Sequence, residues 1–97
     1  MASFKSAVLA LVRDGETMTM REAAVLMQTV ATALRQRPGT TVRALALDLN
    51  IPKPSVTRAV DGLAGLLERV PDPDDKRSVL VVATAAGRKF ADRLLAA

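Results

Sequence analysis

The stretch that decides the fold covers residues 41–64 and reads TVRALALDLNIPKPSVTRAVDGLA. Apolar residues recur at helical spacing on both sides of Asn50-Ile51-Pro52, which indicates two short helices. Asn50 suits the left-handed end of the first helix. Pro54 suits the first turn of the second helix, because its missing N–H is not needed there. Helices joined by so short a turn form a helix-turn-helix, which we predict over residues 41–64.

The residues before this stretch predict two more helices. Apolar spacing indicates a short helix over residues 1–14, and Asp14-Gly15-Glu16 breaks it. Thr19 and Glu22 form a capping box, which starts a helix predicted over residues 19–36. The expected buried stripe of that helix is Ala23, Leu26, Met27, Val30 and Leu34.

The residues after the helix-turn-helix change from helical to strand character. Two apolar segments within residues 66–83 flank a loop rich in Pro, Asp and charge, a pattern typical of a β-hairpin. Thr84 then caps a last helix over residues 84–97. The predicted fold is one domain, residues 1–97, mainly α with a small β-hairpin wing. It is a winged helix-turn-helix with the element order α-α-α-α-β-β-α.

Composition excludes several classes of function. The chain has 97 residues, of which 49% are hydrophobic and 25% charged, as in a globular domain. It contains no Cys and no His, so disulfides, Cys/His zinc sites and His-dependent catalysis are excluded. We therefore expect no enzyme, no cofactor and no metal. The apolar run at residues 7–12 is too short to span a membrane, so we expect a cytoplasmic protein with no membrane partner.

The positive charge is confined to one region. Residues 1–34 hold three basic and three acidic side chains, so the whole net charge of +4 lies in residues 35–97. A regional basic excess favours a polyanionic partner, most often nucleic acid. The alternative is a solvated surface whose charge serves solubility.

The second helix of a helix-turn-helix enters the major groove of DNA and presents its N-terminal residues to base edges. The outward positions of that helix are Lys53, Pro54, Ser55, Thr57, Arg58 and Asp61. Arg58 is the best candidate for a bidentate contact with guanine. The alternative is a surface arginine that pairs with Asp61 or with solvent.

Two further groups complete the predicted DNA-binding set. Lys76 and Arg77 lie at the wing tip, where a long cation can enter a narrow minor groove. The alternative is a solvated charged turn. Thr41 and Arg43 lie at a helix start, where free backbone N–H groups favour a phosphate.

Three blocks of this sequence resemble the MarR-type transcription regulators. They are residues 41–51, residues 55–63, and residues 68–78 followed by 84–88. The last block is the most specific, because an Asp-x-Arg run at the wing tip and a Thr-x-x-Gly-Arg helix start are hallmarks of the family. Residues 19–30 also resemble the helix that precedes the helix-turn-helix in that family.

The resemblance implies a sequence-specific regulator that binds double-stranded DNA, with its recognition helix in the major groove and its wing in the minor groove. It also implies that Asp74 or Asp75 holds Arg77 by a bidentate pair. Family members usually carry long terminal helices that build a dimer and a ligand cleft. Only residues 4–12 and 85–97 correspond to them here, as in a short form.

We expect a homodimer, and any small-molecule effector stays open. The expected dimer seam consists of Phe4, Val8, Leu11, Phe90, Leu94 and Leu95. The alternative, if these faces pack within one chain, is a monomer. The alternative function is a winged-helix module that binds protein and does not read DNA. That alternative is favoured if Arg58 and Arg77 point apart or lie buried in ion pairs.

Overall fold

The computed structural model of the chain describes residues 18–35, 39–75 and 77–96. Its elements are helices α1 (Met20–Leu34), α2 (Val42–Leu49) and α3 (Lys53–Gly62), strands β1 (Leu67–Pro71) and β2 (Val79–Ala83), and helix α4 (Ala85–Ala96). This order confirms a mainly helical fold with a two-stranded antiparallel wing. The helix predicted over residues 1–14 lies outside the described residues.

The helix boundaries follow the local signals in the sequence. Thr19 Oγ1 accepts from the backbone N–H of Glu22 at 3.0 Å, and Glu22 Oε1 accepts from the N–H of Thr19 at 2.9 Å. This capping box satisfies two N–H groups that have no partner inside α1. Asn50 ends α2 in the left-handed region, with φ 55° and ψ 48°.

The wing is attached to the helix-turn-helix along the edge of β2 that does not pair with β1. β1 and β2 pair antiparallel, with Arg69 opposite Val81. On the other edge, Thr40 donates to the carbonyl of Val81 at 3.1 Å and accepts from the N–H of Val81 at 2.7 Å. The next residue, Thr41, caps α2 by accepting from the N–H of Ala44 at 3.0 Å. The start of α2 is therefore fixed beside the middle of β2.

The Thr-x-x-Gly start of α4 is explained by a close contact with the turn that precedes β1. Thr84 Oγ1 accepts from the N–H of Gly87 at 3.1 Å and donates to the carbonyl of Gly65 at 2.7 Å. A Cβ atom on Gly87 would collide with the carbonyl oxygen of Leu66. Only glycine allows α4 to approach this backbone so closely.

The buried face of α1 differs from the predicted stripe at the C-terminal end of the helix. Leu26 and Val30 are buried as expected, and Ala23 and Met27 are partly buried. Leu34 is 76% exposed, so its assignment to the core was wrong. The residues on either side of it are exposed as well, whereas Thr32 in the same turn is buried, so Leu34 lies on the outward side of α1.

Three buried positions of α1 were missed from the sequence, namely Val25, Thr29 and Thr32. Val25 is fully buried, and Thr29 is buried beside it. The hydroxyl of Thr29 donates to the carbonyl of Val25 at 2.8 Å, one turn earlier in the helix. This bond satisfies the hydroxyl inside the core, so a threonine can replace an apolar side chain there.

Helix α4 belongs to the core of the chain itself. Phe90 and Leu94 are each 2% exposed and lie in one apolar cluster with residues of α1, α3 and the wing. The expected dimer seam is therefore wrong for these two residues, because the chain's own core already covers them. Phe4, Val8, Leu11 and the side chain of Leu95 lie outside what the structure describes.

Within residues 18–35, 39–75 and 77–96, every helix is too short or too polar to cross a lipid bilayer.

Candidate nucleic-acid interface

Helix α3 presents the outward face that the sequence predicts. Val56, Ala59 and Val60 are buried against the core. The opposite face carries the predicted DNA-binding residues: Lys53, Pro54, Thr57, Arg58 and Asp61 are exposed and Ser55 is half-buried. The recognition helix thus keeps an open polar side along its whole length.

The start of α3 forms without a side-chain cap. Pro52 occupies the N-cap position, and its carbonyl accepts from the N–H groups of Ser55 at 3.0 Å and Val56 at 3.2 Å. The side chains of Lys53 and Ser55 are therefore not used in capping the helix.

Arg58 has no acidic partner among the described residues, because Asp61 is engaged elsewhere. Asp61 Oδ1 pairs with Arg69 Nη2 of β1 at 2.8 Å, and the two side chains are 61% and 41% exposed. So exposed a pair contributes only about 0–1 kcal/mol to stability. Its main effect is geometric, since it connects the end of α3 to the first strand of the wing. Arg69 was missed because its partner lies on another element.

Arg43 lies between the start of α3 and the base of the wing. It is exposed on α2 and lines one groove together with Leu47, Ile51 and Lys53. It also lines a second groove that includes Arg69 and Ser78. The basic residues of α2, α3 and β1 therefore border a continuous surface.

The acidic residues of the wing loop bind its backbone. Asp75 Oδ1 accepts from the N–H of Arg77 at 3.0 Å, and Asp75 Oδ2 accepts from Ser78 Oγ at 3.0 Å. Asp72 Oδ1 accepts from the N–H of Asp74 at 2.9 Å. The expected bidentate pair between Arg77 and Asp74 or Asp75 is absent from the described residues. Asp75 shapes the loop, and the Arg77 side chain is exposed, while Lys76 lies outside the described residues.

Arg21 is a second residue that sequence analysis missed. It lies in the first turn of α1 and is exposed, and its Nη1 donates to Ser55 Oγ on α3 at 3.2 Å. Arg21, Ser55 and Arg58 line one groove between the two helices. Thirty-four residues separate Arg21 from Ser55, so periodicity within either helix could not show the contact.

A helix-turn-helix followed by a two-stranded wing defines the winged-helix class of proteins. The model of the MarR family matches residues 18–79, which cover every described element except most of β2 and α4. The chain belongs to the MarR family. Family members are transcription regulators and not enzymes.

Solved structures of similar fold agree with this assignment. CouR from Rhodococcus jostii RHA1, bound to p-coumaroyl-CoA, is 31% identical over 95% of this chain, with a TM-score of 0.75. The PcaV transcriptional regulator from Streptomyces coelicolor, in complex with its natural ligand, is 30% identical over 84% of the chain, with a TM-score of 0.66. The S. aureus MepR–DNA complex is 22% identical over 95% of the chain, with a TM-score of 0.79.

This chain spans 62% of the CouR chain, 55% of the PcaV chain and 66% of the MepR chain. A comparison with curated proteins finds no match.

Proposed function

We propose that the chain is a sequence-specific regulator of transcription that binds double-stranded DNA. In this proposal α3 lies in the major groove and the wing reaches the minor groove. The observation that carries it is the open face of α3, where Arg58 is exposed and has no acidic partner in the described part of the chain. An arginine held near a groove floor can contact guanine with two hydrogen bonds.

The surrounding cations support the same surface. Arg43, Lys53, Arg58 and Arg77 are all exposed, and none is in an ion pair within the described residues. Phosphate contacts from such residues supply most of the affinity of DNA-binding proteins. That MepR, which shares the fold, has been solved in complex with DNA also supports the proposal.

We further propose that two copies bind one pseudo-palindromic site, because one small domain makes few contacts with a duplex. Phe90 and Leu94 are buried in the core of the chain, so the proposed dimer would use other surfaces, and a monomer is the alternative.

The alternative of a protein-binding module depends on Arg58 and Arg77 being turned apart or buried in ion pairs. Both side chains are exposed and outside the described ion pair, so burial in ion pairs gives no reason for preferring the module.

The proposal predicts strongly salt-dependent binding to duplex DNA. If about four cations meet phosphates in each domain, log K should fall against log salt with a slope of about −3.6 per bound chain. Fluorescence anisotropy of a labelled duplex, titrated with the chain at several salt concentrations, measures the slope and the number of chains bound. Affinity that does not change with salt, or no binding at low salt, would contradict the proposal.

A further inference from the structure

We propose that Arg21, which lies on α1 outside the helix-turn-helix, binds a DNA phosphate beside the groove that α3 enters and holds the Ser55 hydroxyl toward the DNA. This inference rests on the proposed function and adds a contact that neither helix of the motif supplies.

The geometry places Arg21 at the edge of the recognition helix. Its Nη1 atom lies 3.2 Å from Ser55 Oγ, and Arg58 lies one turn further along α3 on the same groove. Two arginines from different helices therefore flank one hydroxyl on the face that we assign to DNA.

No carboxylate of the described residues neutralises the charge of Arg21. Its neighbour Glu22 is committed to the capping box through Oε1, and Glu22 Oε2 lies where a Cβ atom on Gly62 would be. Arg21 has no ion pair within the described residues. A cation in the first turn of a helix is also unfavourable beside the positive end of the helix dipole. The dipole of α1 therefore does not explain an arginine at this position.

The hydrogen-bonding capacity of the pair matches a phosphate. A guanidinium has five N–H donors in a planar fork, and Ser55 uses only one of them. Since Ser55 Oγ accepts from Arg21, its own hydroxyl hydrogen is free to donate. The remaining guanidinium donors and this hydroxyl offer the donors that the oxygens of a phosphodiester accept.

A phosphate contact has a signature that a base contact lacks. Replacing Arg21 with Ala or Gln should weaken binding by the same factor on a selected site and on a mixed-sequence duplex, roughly tenfold at low salt. The salt slope should become less steep by about 0.9 per chain. Arg21→Lys should restore most of the slope, because the charge returns.

The matched control is Lys89→Ala, which removes one exposed cation from α4 and should leave the slope unchanged. Circular dichroism on each variant shows that the fold is kept, and Arg21→Gln serves if the alanine variant is unstable. If the wild type binds with a salt-dependent affinity and both Arg21 variants match it, the Arg21 contact is refuted and the proposed function stands. A loss confined to the selected site would also refute the phosphate contact. If the wild type itself does not bind DNA, the proposed function is wrong, and the Arg21 contact is refuted as well.

Discussion

Replacing Phe90 with Ala should remove about 3–5 kcal/mol of folding free energy, the usual cost of truncating a buried aromatic residue. Phe90 is 2% exposed and packs in the main apolar cluster, and the guanidinium of Arg93 lies 5.3 Å from its ring centroid. Small domains have a total stability of only about 5–15 kcal/mol. The variant should therefore lose a large part of its folded population on mild heating.

Urea unfolding followed by far-ultraviolet circular dichroism measures this loss, since the chain has no Trp or Tyr for fluorescence. The matched control is Leu47→Ala, at a side chain 72% exposed, which should change stability by less than about 0.5 kcal/mol. The loss in Phe90→Ala should not depend on protein concentration. A smaller loss that shrinks further on dilution would show that Phe90 belongs to a dimer seam after all.

Replacing Arg58 with Ala should weaken binding to the preferred duplex by about 1–3 kcal/mol, or roughly fivefold to 150-fold. The side chain is exposed on the open face of α3, and Asp61, its alternative partner in the sequence analysis, is bound to Arg69. The loss of affinity should be smaller on mixed-sequence DNA, because most of its binding positions have no guanine opposite residue 58.

The preferred sequence can be obtained by selection from a random duplex library, and both duplexes are then titrated with wild type and variant. Lys89→Ala again removes one exposed charge away from α3 and should leave the preference unchanged. An equal loss on both duplexes would mean that Arg58 contacts only the phosphate backbone.

Local signals in the sequence fix most of the fold. The capping box at Thr19, the left-handed Asn50 and the cap at Thr84 each depend on residues within four positions, so they can be recognised without tertiary structure. The helix-turn-helix, the hairpin and the outward face of α3 follow from the same local patterns. The exposure of Leu34 at the end of the α1 stripe does not follow from these patterns, because burial depends on which other elements pack against that position.

The partners of the site residues depend on the packing of elements. Asp61 can be paired with Arg58 on its own helix or with Arg69 on the strand, and only the structure distinguishes the two. The Arg21–Ser55 bond arises in the same way, because α1 packs on α3. In the wing, Asp75 accepts from a backbone N–H and a hydroxyl, and not from the guanidinium that the family resemblance implies.

The most direct test of the central claim is to titrate the isotope-labelled chain with its selected duplex and follow backbone amide resonances. We expect the largest shifts along α3, at Arg43 and at Arg77, because these residues should form one surface against DNA. Ala91 and Leu94, buried on α4, should hardly move. Shifts centred on α4, with α3 and Arg77 unchanged, would contradict the account.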